Sequence, residues 1–212
     1  MNGSLTDKTV KEFCDLLSSK AAVPGGGGAA ALGGAMGIGL GNMVAHLTLG
    51  KKKYAEYQAE IESLLAEGMA LQSALLALVD GDAAAFAPLA AAYGLPTETP
   101  AQQESKRQAL SAASRTAAEA PLEIARKVGQ ALHMVRRIGE IGSILAVSDA
   151  ACAALFLQAA FHSACYNVRI NLPAIAEGDY VAAVEAELAA LQPEVERLTT
   201  ETLAVVDRRM KK

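Results

Sequence analysis

The chain has 212 residues and a mass of 21.9 kDa, a length suited to one domain with a large core. Apolar residues make up 52% of it but aromatics only 4%, with no Trp, so the apolar content is mostly Ala, Leu and Val and favours helix over strand. A net charge of −4 with 20% charged residues excludes a disordered polyelectrolyte and gives no support to a nucleic-acid partner.

The opening residues, Met1 to Lys8, are polar and carry no apolar signal-peptide core. Cys14, Cys152 and Cys165 are too scattered for a metal knuckle or a disulfide framework, so the expected compartment is the cytoplasm. Thr6-Asp7 is placed to cap a first helix carrying Val10, Phe13, Cys14 and Leu17, which ends near Ser18-Ser19-Lys20. Then come Pro24 and four consecutive glycines, Gly25 to Gly28, which read as a loop whose bare backbone approaches something closely. A Gly- and Ala-rich helix is expected from about Ala29 to Leu49, with Gly33, Gly37 and Gly41 as one smooth packing stripe. Its 17 residues from Ala29 to Ala45 sit at the short edge for a membrane span, and its glycines and Asn42 argue against one, so no membrane partner is expected.

Tyr54, Tyr57, Ile61, Leu64, Gly68, Leu71, Leu75 and Leu78 alternate steps of three and four, the mark of a long bundle helix. Asp80-Gly81-Asp82 is expected to interrupt it before helical composition resumes. Tyr93 to Pro100 reads as a loop, Ala101 to Ile141 as helix with a kink or restart at Pro121, and Gly139 to Ser143 as a turn. Ser148 is a plausible N-cap for a helix from Asp149 to about Val168, and the last helix starts near Asp179, bent at Pro193. The expected fold is all-α: a single-domain bundle of long, mostly antiparallel helices over residues 1–212.

Several chemistries drop out. His46, His133 and His162 have no second His at helical spacing, so no metal site is expected; the glycine run lacks the P-loop order, and no GxSxG elbow occurs. What remains are polar residues in apolar surroundings: Asn42, Thr48, Asp82, Ser148, Asp149, Asn167, Arg169 and Asn171. Such groups need partners once buried, and Asp82 or Asp149 can equally be helix caps. Lys51, Lys52, Lys53 and Tyr54 follow the Gly-rich helix, as either a solvated helix end or a clamp for an anionic tail.

Four blocks in order resemble the cyclodeaminase/cyclohydrolase family, which includes the C-terminal domain of formiminotransferase-cyclodeaminase and stand-alone methenyltetrahydrofolate cyclohydrolases. They are Val23-Pro24-Gly25-Gly26-Gly27-Gly28-Ala29-Ala30-Ala31 with Met43 to Tyr54; Asp82-Ala83-Ala84-Ala85-Phe86 with Ala92 to Pro96; Val147-Ser148-Asp149-Ala150; and Ala164 to Asn171. The chain departs from the family's habits at Gly28, at Gly142-Ser143-Ile144-Leu145 and at Ala151. The resemblance implies a helical homodimer acting on a one-carbon folate, polyglutamylated, with no other cofactor. Cyclohydrolases turn 5,10-methenyltetrahydrofolate and water into 10-formyltetrahydrofolate; cyclodeaminases close 5-formiminotetrahydrofolate to the methenyl compound and release ammonia. A chain without a formiminotransferase domain attached leans to the cyclohydrolase. On this reading Asp82, then Asp149, stabilise the amidinium cation or take the proton of the attacking water. The backbone of Pro24, Gly25, Gly26 and Gly27 lies on the pterin, with Thr48, Tyr54 and Ser148 among the substrate-binding residues. Asn42, Asn167 and Asn171 bind the pterin edge, and Lys51, Lys52, Lys53 and Arg169 attract the glutamate carboxylates. A non-catalytic helical interaction protein is the rival from another class; heptads and a glycine stripe suit it, whereas the glycine loop and isolated acids do not.

Overall fold

The computed structural model describes residues 3–211; Met1, Asn2 and Lys212, and with them the first two residues read above for a targeting signal, lie outside these. The described residues form six α-helices: α1 (Val10–Leu17), α2 (Gly26–His46), α3 (Gln58–Tyr93), α4 (Pro100–Ile141), α5 (Val147–Arg169) and α6 (Gly178–Met210), with short 3₁₀ turns between and no strand among them. From α2 onward successive helices run antiparallel, and α6 returns along α4 and α5. The all-α bundle expected from composition is therefore the observed one.

Local chemistry sets most boundaries. Thr9, not Thr6-Asp7, caps α1: its hydroxyl accepts the Glu12 N–H while Glu12 reaches back to the Thr9 N–H, and Thr6-Asp7 sit in a 3₁₀ turn. Thr99 and Gln102 form the same reciprocal cap on α4, with Pro100 in its first turn. Tyr54 and Tyr57 precede α3, in a 3₁₀ stretch from Lys52 to Tyr57.

The interruption expected at Asp80-Gly81-Asp82 and the restart offered at Pro121 do not occur. α3 continues through Asp80-Gly81-Asp82 to Tyr93, because buried Val79, Leu89 and Ala92, with half-buried Leu78 and Phe86, extend the inward seam and its burial outweighs the roughly 1 kcal/mol cost of a helical glycine. α4 passes through Pro121, which lies in a buried stretch with Leu122, Ile124 and Ala125. Pro193 likewise lies inside α6.

The core is centred on Ile38, Ile61, Leu75, Leu122, Leu132, Ile138, Leu157 and Phe161, all fully buried. Gly37 lets α5 approach so closely that a Cβ there would meet Leu157 and the Ala153 carbonyl at 3.0 and 3.1 Å. Gly33, Gly37 and Gly41 are not one stripe. Steps of four on a 3.6-residue helix drift by about 40° each, so Gly41 packs on Val135 of α4 and Gly33 opens to a groove between α2 and α5. Three helical stretches, including α2, are long and apolar enough to cross a membrane, but most of the α2 stretch is buried inside the bundle.

Candidate active site

α2 starts earlier than its composition suggests. Gly26, Gly27 and Gly28 form its first turn rather than a loop, with Gly25 as an N-cap that has no side chain to offer. The reason is crowding. A Cβ on Gly27 would lie 2.1 Å from Asp82 Oδ1, and one on Gly26 would lie 2.8 Å from Asn167 Nδ2. The glycines thus admit an acid from α3 and an amide from α5 to the positive end of α2, where unpaired N–H groups point outward.

Asp82 lies at that end, where the nearby Gly28 N–H favours its ionised form. Burial pushes its carboxyl pKa up, and the Gly28 N–H offsets this only in part, so the net shift is upward. It faces a cavity of about 210 Å³ lined by Val23, Gly25, Gly26, Asn167, Asn171 and Ile170 on one side and by Phe86, Leu89 and Tyr93 on the other. Asn167 donates its amide to the Ser163 carbonyl and Asn171 to the Asn167 carbonyl, at 2.8 Å each. Their side-chain oxygens take no protein donor among the described residues and remain available to a ligand. The result is a pocket with one half-buried acid, amide acceptors on one wall and an apolar second wall, a combination suited to a flat, polar-edged cation.

The remaining candidates lie elsewhere. α2 has 21 residues, so at about 1.5 Å per residue its far end is about 30 Å from Gly26. There Thr48, fully buried, accepts the Ser143 N–H at 2.7 Å and donates to the Val44 carbonyl. Lys51 donates to Ser143 Oγ at 2.9 Å, and the Tyr54 hydroxyl accepts the Ile144 N–H at 3.0 Å. Burial pushes the Tyr54 pKa up, but the Ile144 N–H and the charges of Lys53 and Arg209 outweigh it and hold it below the usual tyrosine value. Ser148 does not cap α5, which begins at Val147, and Asp149 lies in the first turn at this same end. Asp82 and Asp149 are therefore at opposite ends of one chain, as are Asp82 and the lysines.

Asn42 serves packing: it is buried between α2 and α3, donating to Gln72 Oε1 at 3.2 Å, with its own Oδ1 against Gly68. Pro24 is buried behind Gly28, while Lys52, Lys53 and Arg169 are exposed. Phe86, Leu89, Tyr93 and Ile170 line the pocket but are absent from the sequence-derived set. The signal for three of them was present: counted from Asp82 they stand at +4, +7 and +11, one face of an unbroken helix.

A family profile described as Formiminotransferase-cyclodeaminase matches residues 9–190. The chain belongs to this family. Methenyltetrahydrofolate cyclohydrolase of Methylorubrum extorquens is 37% identical over 165 residues, 78% of this chain and 79% of that relative. Formimidoyltransferase-cyclodeaminase of Rattus norvegicus is 32% identical over 169 residues, 80% of this chain but 31% of the relative, so the chain spans about a third of that protein. Among solved structures, formiminotetrahydrofolate cyclodeaminase of Thermotoga maritima superposes with a TM-score of 0.85 at 26% identity, covering 96% of this chain and 98% of that one. The formiminotransferase-cyclodeaminase family thus accounts for the bundle.

Proposed function

We propose that this protein is a methenyltetrahydrofolate cyclohydrolase, working in the cytoplasm on a tetrahydrofolate derivative as substrate, with no metal or redox cofactor. The observation that carries this reading is Asp82, an acid held half-buried at the glycine start of α2; the likeness to the Methylorubrum extorquens cyclohydrolase along most of both chains supports it. The methenyl bridge is an amidinium cation between N5 and N10. A nearby carboxylate stabilises it, and Asp82 with its raised pKa is a better base than a solvated aspartate for the water that attacks the bridge carbon. The adduct collapses by breaking the bond from that carbon to N5, leaving the formyl group on N10 and releasing one proton overall. No electron is transferred. The likeness to the Thermotoga maritima cyclodeaminase favours a second reading at the same pocket, ring closure of 5-formiminotetrahydrofolate with loss of ammonia.

The test is the loss of the near-ultraviolet band of 5,10-methenyltetrahydrofolate in a buffer where spontaneous hydrolysis is slow. The wild type accelerates it and Asp82→Asn lowers kcat by about 10²–10⁴-fold. kcat/KM falls on acidification through a pKa above the ordinary aspartate value, since the base must be ionised. Stability runs the other way: a folded pKa raised by burial favours folding below the unfolded pKa, and that contribution is lost as pH rises through the folded one. Asp82→Asn therefore melts higher than the wild type at neutral pH, and the difference closes as pH falls below the ordinary aspartate range. Full turnover in a folded Asp82→Asn protein leaves the acid as a mere cap. Band appearance from 5-formiminotetrahydrofolate alone selects the cyclodeaminase.

The reading includes a homodimer. α2 and α5 share an exposed apolar face carrying Ala29, Gly33, Met36, Met43 and Leu47 beside Leu155, Phe156 and Tyr166. Faces of this kind mark association. A second copy laid antiparallel on it would bring the partner's basic end to this chain's pocket, the one arrangement that lets lysines at that end meet a polyglutamate tail. Gly33→Arg, with open space around the glycine, should keep the fold and give a monomer by sedimentation; a dimer that persists assigns association to another face.

A further inference from the structure

The pocket around Asp82 is small for the substrate it is proposed to hold. Its volume is about 210 Å³, whereas pockets enclosing a drug-sized ligand run to roughly 300–1,000 Å³. Part of a folate must therefore lie at the mouth. What waits there is specific: Tyr93, the last residue of α3, is 61% exposed, although it lies on the same helix face as the acid. Long side chains on a helix lean back toward its N-terminus, so the Tyr93 ring leans toward Phe86 and Asp82 rather than off the end of the helix. The backbone carrying it is fixed from α4, where Lys106 donates its ammonium to the carbonyls of Tyr93 and Leu95 at 2.7 and 2.9 Å.

We infer that Tyr93, with Phe86 as the inner wall, is the binding platform for the aminobenzoyl ring of the substrate, and that Lys106 is a positioning residue acting through it. The inference rests on the proposed folate reaction at Asp82 and follows from the order of the walls. The bridge carbon joins the pterin to the aminobenzoyl nitrogen, so a substrate reacting at Asp82 sends its two rings in opposite directions. The glycines, Asn167 and Asn171 present bare backbone and amide oxygens, which match the hydrogen-bonding edge of a pterin. Along α3 the next turns present only Phe86, Leu89 and Tyr93 to the cavity, which match a benzene ring with no polar edge. An aromatic ring left open at a cavity mouth gives stacking area without needing a hydrogen bond.

The experiment is steady-state turnover of 5,10-methenyltetrahydrofolate by the whole protein, with tetrahydropterin, which lacks the aminobenzoyl arm, as a competitive inhibitor. Tyr93→Ala should raise KM about 10-fold with kcat within about twofold, and Tyr93→Phe should restore KM. Tetrahydropterin should inhibit wild type and Tyr93→Ala with the same constant, since it never reaches Tyr93. Lys106→Met should raise KM in the wild type and have no further effect in Tyr93→Ala. Tyr93 is largely exposed, so melting temperatures should agree and exclude a folding defect. A fall in kcat at constant KM, an unchanged KM, or parallel weakening of tetrahydropterin overturns the inference. Absence of turnover in the wild type with both 5,10-methenyltetrahydrofolate and 5-formiminotetrahydrofolate overturns the folate reaction first and the platform with it, and is seen before any substitution is made.

Discussion

The two ends of the bundle are built on opposite plans. At one end the turn from Gly142 to Val147 is stitched down by Thr48, Lys51 and Tyr54, and Arg209 donates to the Gly139 and Gly142 carbonyls at 2.6 Å each. At the other, an acid, two amide oxygens and a helix N-terminus face a cavity, with the Gly28 N–H near the acid. Both ends carry polar residues in apolar surroundings, and in a sequence they look alike. The difference is spare valence: at the first end Thr48, Lys51, Tyr54 and Arg209 are spent on the protein's own turn, whereas the second keeps its acid and amide oxygens for something else.

The largest expected effect comes from removing the space on which the open end depends. Gly27→Ala puts a methyl 2.1 Å from the Asp82 carboxylate, so the acid must leave the helix start; turnover should fall by about 100-fold or more, read as kcat beside Asp82→Asn. A Gly27→Ala protein with normal turnover would mean that Asp82 works from another position. Next comes the stitched end, where the loss is in stability. Thr48→Val keeps the shape but strands the buried Ser143 N–H, costing about 1–3 kcal/mol; denaturant melts should show it while kcat per folded molecule holds. A large fall in kcat instead would make the turn part of the active site and erase the contrast between the ends. The smallest effect belongs to the exposed lysines: changing Lys52 and Lys53 to Ala should raise KM a few-fold for a polyglutamylated folate and less for the monoglutamate, and only in a dimer. Equal effects on both substrates remove the clamp.

Periodicity made the bundle legible, and the isolated acid at position 82 was visible because it broke an apolar pattern. Two features were hidden for physical reasons. Four glycines in a row read as loop on intrinsic propensity, yet Gly26 to Gly28 are helical, and Asn167 and Asp82 occupy the space of the missing side chains at Gly26 and Gly27, a tertiary fact with no local signature. Asp80-Gly81-Asp82 read as an interruption for the same local reason, and that reading concealed the run from Asp82 through Phe86 and Leu89 to Tyr93 as one face. Asn42 and Thr48 were equally conspicuous in sequence, but burial beside Gln72 and Ser143 gives them structural partners. Polarity in an apolar stretch marks a group that must be satisfied; only the fold says by what.

The fit of Gly27 against Asp82 also ties two distant positions into a single inherited unit. A chain carrying the acid at 82 cannot add a side chain at 27 without displacing that acid from the helix start, whereas a chain that has lost the acid is free to fill the gap and gain helix stability by doing so. Descendants that drop the chemistry should therefore drift at both sites together, the glycine soon after the aspartate, and a larger residue at 27 would serve as a written record that the reaction had already been abandoned.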